Sequence, residues 1–262
     1  MNNEYRVVKL QTIVDIKPSD WKISYEDKIL MLGSCFVDSI ARKMDEYYFR
    51  VSSNPTGTLY NPVSIAHHID LAEQSDVIVI TFGTAWVYED RATGQVVDNC
   101  QKRPATDFIR RRLTVDEIVN LWQPIIAHYP DKRWIFTVSP IRHVKDGLHE
   151  NQLSKAILLQ AVEKLSVSYF PSYEIVLDEL RDYRFYADDL VHPSSMAVNY
   201  IWERFVATYL AAQTQQQMEE LHGLWLDRHH TLLHHQTPEA QTFLQHLAER
   251  TAQLKNKYPW IP

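Results

Sequence analysis

The stretch Lys28–Phe36, with the sequence KILMLGSCF, decides the fold. Its four consecutive apolar residues are typical of a strand buried on both faces, as found in parallel sheets. The run ends at Gly33, which permits a sharp turn, and a helical pattern of apolar residues follows. Ser34 and Cys35 are therefore predicted at the carboxyl end of a strand, where open α/β sheets bind their ligands. A packed turn of small residues is the alternative interpretation.

The rest of the chain alternates between buried-strand and helical patterns. Strands are predicted at about 28–33, 49–52, 76–82, 133–138 and 173–176. Helices are predicted at about 36–48, 61–73, 114–126, 150–166 and 196–210. Residues 86–97 resemble a small β-hairpin. This order predicts an α/β fold with a doubly wound parallel sheet and right-handed crossovers.

The composition of the chain changes after the last of these helices. We expect an α/β domain with an N-terminal arm over residues 1–212 and a C-terminal helical extension over residues 213–262. The extension is rich in glutamine and histidine, lacks a strand pattern and predicts two amphipathic helices. Its expected role is packing, with a homodimer contact left open. His229-His230 and His234-His235 lack a completing carboxylate or thiol set, so no metal site is predicted.

The overall composition excludes several classes of protein. The 262 residues are 45% hydrophobic and carry a net charge of -6, and the one basic triplet, Arg110–Arg112, is interpreted as a solvated cluster at a helix start. We therefore expect no nucleic-acid partner. Two cysteines, Cys35 and Cys100, form no disulfide framework, although a single bridge between them stays open. Without a signal-peptide pattern or a membrane-spanning run, a cytoplasmic protein with no membrane partner and no cofactor is expected.

A short motif late in the chain, Asp189-x-x-His192, supplies an acid and a base. Strand ends meet at one edge of a parallel sheet, so we expect this motif to approach Ser34 and Cys35. A nucleophilic hydrolase requires a nucleophile, a histidine that takes its proton and an acid that orients the histidine. Either Ser34 or Cys35 is a candidate nucleophile. A thiol at a helix N-terminus is expected to have a lowered pKa, whereas a buried structural cysteine is the plainer interpretation.

Four segments of the chain resemble the GSCFA family. They are Gly33–Phe36, Thr81–Tyr88, Ser139–His143 and Asp189–Pro193, and the resemblance extends over about residues 10–210. Val37 stands where the family name has alanine. GSCFA proteins are grouped with the SGNH/GDSL hydrolases. The resemblance therefore implies a three-layer α/β/α, flavodoxin-like (SGNH hydrolase-like) fold with a Ser-His-Asp type of site.

The resemblance also implies roles for individual residues. Cys35 takes the nucleophile position of the first block, with Ser34 at the preceding position. Gly57 resembles the glycine that donates to the oxyanion in the second block. Gly83-Thr84-Ala85 stands where G-x-N is expected, so that Ala85 replaces the oxyanion asparagine. The residues expected to supply the missing donor are Asn54, Asn99 or His143.

These residues favour an esterase or acyl hydrolase that acts on a small-molecule or glycan ester. An acylated carbohydrate would suit the aromatic residues near the site, which are Trp86, Tyr88, Tyr183, Phe185 and Tyr186, although each is also an ordinary core residue. An acyltransferase on the same site and a non-catalytic glycan-binding module that retains the fold are the alternatives. No G-x-G-x-x-G or Walker sequence supports a nucleotide binder.

Overall fold

The parallel sheet runs through the middle of the computed structural model, which describes residues 11–98, 100, 102–231 and 236–262. The strands of the described chain are β1 (Lys28–Gly33), β2 (Arg50–Ser53), β3 (Val77–Phe82), β4 (Trp86–Asp90), β5 (Phe108–Arg112), β6 (Arg133–Val138) and β7 (Ser168–Tyr169). Five of them form one sheet in the order β2-β1-β3-β6-β7. Every neighbouring pair in that sheet is parallel, which confirms the predicted doubly wound fold.

Several of the helices begin at a residue whose side chain caps them. They are α1 (Cys35–Glu46), α2 (Pro62–Ala66), α3 (Val115–His128), α4 (Leu148–Leu165), α5 (Ser172–Glu174), α6 (Ser195–Tyr209), α7 (Ala212–Arg228) and α8 (Pro238–Lys257). Asn61 accepts hydrogen bonds from the first turn of α2, and Thr114 and Glu117 form a capping box at α3. The Ser194 side chain caps α6.

The sheet separates two hydrophobic clusters, because successive side chains of a strand point to opposite faces. Met31 and Val79 belong to the cluster that also contains apolar residues of α1 and α6. Leu32 and Ile80 belong to the cluster that contains residues of α3 and α4. Truncating such a side chain to alanine is expected to cost about 2–5 kcal/mol. The fold therefore has the three α/β/α layers that the sequence predicts.

Both helices predicted for the C-terminal extension are present as α7 and α8. Met218, Leu221 and Leu224 of α7 join the hydrophobic cluster on the α1 side of the sheet. Near the C-terminus, Trp260 stacks on Tyr25 with ring centroids 5.2 Å apart. The extension thus packs on the α/β core. Among the described residues, no helix combines the length and apolar character required to cross a membrane.

The predicted hairpin at 86–97 differs from the structure. Strand β4 pairs antiparallel with β5. Residues 95–97 return beside β4 in a single antiparallel bridge between Glu89 and Val96, with two backbone hydrogen bonds, and do not form a strand. The triplet Arg110–Arg112 consequently lies in a strand instead of at a helix start. Each of its guanidinium groups forms an ion pair: Arg110 with Asp146, Arg111 with both Glu89 and Glu117, and Arg112 with Glu150.

The predicted strand at 173–176 is wrong. This segment forms α5 and a following π-helical turn, Ile175–Leu180, and the edge strand is the two-residue β7. A short apolar run without a clear period fits a buried strand and a buried helix equally well. In the structure, the start of this helical segment is tied to the end of β6, where Ser172 Oγ donates to the Val138 carbonyl at 2.8 Å.

Candidate active site

The turn after β1 brings Cys35 to His192. Cys35 is the first residue of α1, and its Sγ lies 3.4 Å from His192 Nε2. Gly33 makes the turn with a φ of +138°, and a Cβ there would lie 2.1 Å from the Thr81 carbonyl oxygen. Only glycine fits this close approach of β1 to β3. Cys35 and Cys100 are both free thiols, so the bridge left open by the sequence is not formed.

Asp189 orients the histidine ring. Its Oδ2 lies 2.6 Å from His192 Nδ1, and its Oδ1 accepts the backbone N–H groups of Val191 and His192 at 2.9 and 3.0 Å. The backbone hydrogen bonds, followed by the bond to the ring, lower the pKa of Asp189 to about 2. A carboxylate that accepts Nδ1–H leaves Nε2 unprotonated in the neutral ring. That lone pair faces the Cys35 sulfur.

The loop that carries these two residues is braced from β6. Leu190 lies between them with a φ of +57°, a conformation that a branched side chain adopts rarely. Arg142 donates from Nη1 to the Leu190 carbonyl at 3.0 Å and from its backbone N–H to the Val191 carbonyl at 3.2 Å. Arg142 lies in the Ser139–His143 segment that resembles the family, but no role for it was predicted. Through Arg142, this segment thus holds the Asp189-x-x-His192 loop in place.

The protonation of Cys35 differs from the expectation for a helix N-terminus. Burial raises the pKa of the thiol above its ordinary value, and the carboxylates of Asp38 and Asp189 act in the same direction. The residue's own backbone N–H acts in the opposite direction but does not outweigh them. The sulfur therefore rests as a thiol.

Ser34, the other candidate nucleophile, is turned into the protein. It is 1% exposed, and its Oγ has no hydrogen-bond partner among the described residues. Its Cβ lies close to Gly83, where an added Cβ would approach it to 3.3 Å. Of the two adjacent side chains, the structure places Cys35 in contact with His192.

The hydrogen-bond donors of Asn54 and Gly57 are occupied by contacts around the turn after β2. Asn54 Oδ1 accepts the Gly33 N–H at 2.9 Å, and its Nδ2 donates to the two oxygens of Asp38 at 3.0 and 3.1 Å. The exposed Gly57 donates its N–H to the Asn54 carbonyl at 2.8 Å. Neither residue presents a free donor to the sulfur. Asn99 lies outside the described residues.

The Gly83-Thr84-Ala85 block is also occupied by structural hydrogen bonds. Gly83 donates its N–H to the Tyr60 carbonyl at 2.9 Å. Ala85 is fully buried and donates its N–H to Ser154 Oγ at 2.8 Å. The Val37 N–H in the first turn of α1 donates to the Ser34 carbonyl at 2.9 Å. The Cys35 N–H lies at the positive end of the helix dipole and acts on the Cys35 sulfur.

His143 follows β6 and lies beside the Tyr60 ring, with centroids 6.2 Å apart. Its backbone N–H donates to Asn151 Oδ1 at 2.9 Å, and its buried Nε2 has no partner among the described residues. Burial and then the charge of Lys155 lower the pKa of His143 to about 4, while the Gly83 backbone acts in the opposite direction. The ring is therefore neutral at neutral pH.

A cavity of about 400 Å³ has Arg142, which donates to the Leu190 carbonyl of the Asp189-x-x-His192 loop, in its lining. Tyr183 and Tyr186 line it, and the Arg142 guanidinium lies 5.8 and 5.3 Å from their ring centroids. Cys35 and His192 are not part of its lining. Two of the aromatic residues expected near the substrate thus border this cavity, whereas Trp86 stacks under Arg110 at 3.9 Å.

Within the described residues, no group of three or more His, Cys, Asp or Glu side chains is arranged to hold a metal ion. His234-His235 lie outside the described residues.

Several solved structures are similar in fold to this chain. A catalytic mutant of an acetylxylan esterase from Geobacillus stearothermophilus is 12% identical with a TM-score of 0.46, covering 71% of this chain and 95% of that chain. A GDSL-like lipase from Bacteroides thetaiotaomicron is 12% identical with a TM-score of 0.44, and the match covers 74% of this chain and 89% of that chain. A Clostridium thermocellum family 3 carbohydrate esterase is 13% identical with a TM-score of 0.42, and the match covers 75% of this chain and 99% of that chain.

A search of curated proteins finds no match. The sequence profile of the GSCFA family, in contrast, matches residues 28–74 and 69–205, which is more than half of the chain. All four segments that resemble the family fall within these residues. The chain belongs to the GSCFA family.

Proposed function

We propose that this protein is a cysteine-dependent ester hydrolase in which Cys35 is the nucleophile, His192 the general base and Asp189 the residue that orients the histidine. The supporting observation is one continuous line of contacts. It runs from Cys35 Sγ over 3.4 Å to His192 Nε2, and from Nδ1 over 2.6 Å to Asp189 Oδ2. A nucleophile, a base and an acid in this order form the arrangement that acyl transfer requires.

The first half of the reaction acylates the sulfur. Cys35 Sγ attacks the ester carbonyl carbon while His192 Nε2 takes the thiol proton, and Asp189 stabilises the imidazolium that forms. The carbonyl oxygen becomes an oxyanion, which the Cys35 N–H at the start of α1 stabilises. The carbon–oxygen bond then breaks, the alcohol leaves with the proton from His192, and a thioester remains on Cys35.

The second half releases the acid. A water molecule attacks the thioester carbonyl while Nε2 of His192 takes one of its protons. Collapse of the second tetrahedral intermediate breaks the carbon–sulfur bond, and the proton returns from His192 to Sγ. The products are a carboxylic acid and the free thiol.

We propose an acylated carbohydrate as the substrate. The cavity of about 400 Å³ offers Tyr183 and Tyr186 for stacking on a sugar ring and the Arg142 guanidinium for its hydroxyl groups. Arg142 connects this cavity to the catalytic loop, since it donates to the Leu190 carbonyl at 3.0 Å.

Hydrolysis of p-nitrophenyl acetate tests the proposed reaction. The wild type is expected to hydrolyse the ester, and Cys35→Ala and His192→Ala are each expected to fall to the rate without enzyme. Cys100→Ala, which removes the other thiol, is the matched control and should retain the wild-type rate. Equal rates for the wild type and Cys35→Ala would contradict the proposal. Adding sugar alcohols as acceptors distinguishes transfer from hydrolysis.

A further inference from the structure

Two arginine side chains line the cavity of about 400 Å³, and both carry charges that the protein leaves largely uncompensated. Arg142 forms no ion pair with a carboxylate in the described part of the chain. Its Nη1 donates to the Leu190 carbonyl at 3.0 Å, and its other guanidinium N–H groups have no acceptor there. Arg181 Nη1 lies 4.0 Å from Asp178 Oδ1, beyond hydrogen-bond distance, and both of those side chains are more than half exposed. The cavity therefore has two guanidinium groups available to a ligand.

The negative charge in the cavity lining is already paired. Among the described residues that line the cavity, Asp182 alone carries a carboxylate. It accepts Arg184 Nη2 and the Arg184 backbone N–H, both at 2.9 Å, and these bonds lower the pKa of Asp182, the side-chain bond more than the backbone one. His149, which also lines the cavity, adds no negative charge in either protonation state. The lining thus has a net positive charge.

Two amide side chains of α4 also line the cavity and turn their oxygens to the protein. Asn151 Oδ1 accepts the His143 backbone N–H at 2.9 Å, and Gln152 Oε1 accepts the Tyr173 hydroxyl. The amide nitrogens of both residues have no acceptor among the described residues. Asn151 is only 4% exposed, and a buried amide N–H group is costly without a partner. An anionic oxygen of a ligand would supply that partner.

Tyrosine rings form another part of the cavity wall. The ring centroids of Tyr183 and Tyr186 are 6.0 Å apart, and the Arg142 guanidinium lies 5.8 and 5.3 Å from them. A sugar ring can stack on this surface while an acidic group of the sugar meets the guanidinium, whose planar fork of N–H groups matches a carboxylate. A hexuronic acid, a sugar with a carboxylate in place of its primary alcohol, combines the ring and the charge that suit this lining.

The cavity wall continues into the loop that carries His192. Tyr186 forms an antiparallel bridge with Pro193, and the Ala187 N–H donates to the His192 carbonyl at 2.8 Å. Arg142 donates to the Leu190 carbonyl of the same loop. A ligand in the cavity therefore lies against two residues, Arg142 and Tyr186, that are hydrogen-bonded or bridged to the loop of the proposed base.

We propose that this cavity binds the carboxylate of an acidic sugar, with Arg142, Arg181 and the amide of Asn151 as the donors, so that the ester cleaved at Cys35 is carried by a uronic acid. The choice of substrate in turnover rests on the proposed function. The binding of the sugar does not, because it requires neither Cys35 nor His192.

Titration of the full chain with methyl β-D-glucuronide and methyl β-D-glucoside, followed by NMR, tests this assignment. The two glycosides differ only in a carboxylate or a hydroxymethyl group at one carbon. We expect the glucuronide to bind at least about 10-fold more tightly, because charge-assisted hydrogen bonds are stronger than neutral ones. Its affinity should also fall as the salt concentration rises. Equal affinities for the two glycosides, or no binding of the glucuronide, would overturn the proposal.

Two variants locate the bound carboxylate. Arg181→Met, at a side chain that is 79% exposed, should lower the affinity for the glucuronide by about 10-fold and leave that for the glucoside within about twofold. Asn151→Asp keeps an oxygen for the His143 N–H but replaces the amide donor with a negative charge, so it should also weaken glucuronide binding. Lys164→Met removes a surface charge on the same helix as Asn151 and should bind both glycosides as the wild type does. Unchanged glucuronide affinity in the folded Arg181 and Asn151 variants would contradict the assignment.

Turnover separates a failure of the acidic-sugar site from a failure of the proposed reaction. With one acetyl group at the same hydroxyl of each glycoside, the wild type should show about a 10-fold higher kcat/KM for the glucuronide, mainly through a lower KM. Arg181→Met should bring that ratio toward one. Hydrolysis of p-nitrophenyl acetate with equal affinity for both glycosides would refute the acidic-sugar site alone. Selective glucuronide binding without hydrolysis of any ester would support the site and refute the proposed reaction.

Discussion

The sulfur of Cys35 lies 3.4 Å from Nε2 of His192, although the two residues are 157 positions apart in the sequence. The glycine turn after β1 presents the thiol, and the loop before α6 presents the ring. Burial and the nearby carboxylates raise the pKa of the thiol, so the sulfur rests protonated beside the ring. The first two predictions, on the orientation of His192 and the ionisation of Cys35, follow from this contact.

The first prediction concerns the orientation of His192. Asp189→Asn replaces the carboxylate that accepts Nδ1–H, so the ring can turn or adopt the wrong tautomer. We expect kcat to fall by roughly 10³- to 10⁴-fold in steady-state ester hydrolysis, with a much smaller change in KM. Asp131→Asn, at an exposed carboxylate next to Lys132, serves as the control. Activity of Asp189→Asn within twofold of the wild type would exclude the orienting role.

The second prediction concerns the ionisation of Cys35. In a Cys100→Ala background, the rate of alkylation by iodoacetamide should keep rising with pH beyond the ordinary range of a cysteine thiol, because burial raises the pKa of Cys35. Asp38→Asn should lower the midpoint, since the Asp38 carboxylate contributes to the raised pKa. A constant rate down to acidic pH would instead indicate a thiolate and contradict the raised pKa of Cys35.

The third prediction concerns the support of the loop that carries Asp189 and His192. Arg142→Met removes the hydrogen bond to the Leu190 carbonyl and the packing over Tyr186. We expect a loss of about 1 kcal/mol in the free energy of unfolding and a drop of about 10- to 100-fold in kcat, since small displacements of a base are costly. The matched control is Arg184→Met, at an exposed residue paired with Asp182. Equal losses in both variants would show that Arg142 has no special role.

The fourth prediction concerns stability at acidic pH. The folded chain keeps His143 neutral to about pH 4, whereas an unfolded histidine binds a proton below about 6.5. Between these values the unfolded state binds more protons, so this residue makes the free energy of unfolding fall as the pH falls from 6.5 to 4. The contribution is on the order of 2 kcal/mol.

Urea denaturation at pH 4.5 and pH 7 measures this contribution. The loss of stability on acidification should be smaller in His143→Gln than in the wild type. His128→Gln, at an exposed histidine in the last turn of α3, should behave as the wild type does. If His143→Gln loses as much stability as the wild type, the ring is not held neutral.

The central strands and the Asp189-x-x-His192 motif were predictable because their signals are local. The apolar run before Gly33 predicts β1, and the residues Asp189 and His192 lie close enough in sequence to form their pair within one turn. The segment at 173–176 was not predictable, because an apolar run of that length fits either a strand or a helix until its tertiary contacts are known.

The residues that support the site gave weaker signals. Lys155 lies in a regular helical pattern, where a lysine is usually interpreted as exposed, but it is buried, with its Nζ donating to the carbonyl oxygens of Gly83 and Ser139 at the ends of β3 and β6. The raised pKa of Cys35 likewise depends on burial first and then on carboxylates that include Asp189, far along the chain. A helix-terminus rule by itself therefore predicts the wrong direction for this thiol.

Identification of the acylated residue tests the central claim most directly. After a brief reaction with p-nitrophenyl acetate and an acid quench, peptide mass spectrometry with fragmentation separates Ser34 from Cys35. We predict an acetyl group on Cys35 that neutral hydroxylamine removes, as expected for a thioester. An acetyl group on Ser34 that resists this treatment, or turnover of the ester in Cys35→Ala at the wild-type rate, would contradict the account.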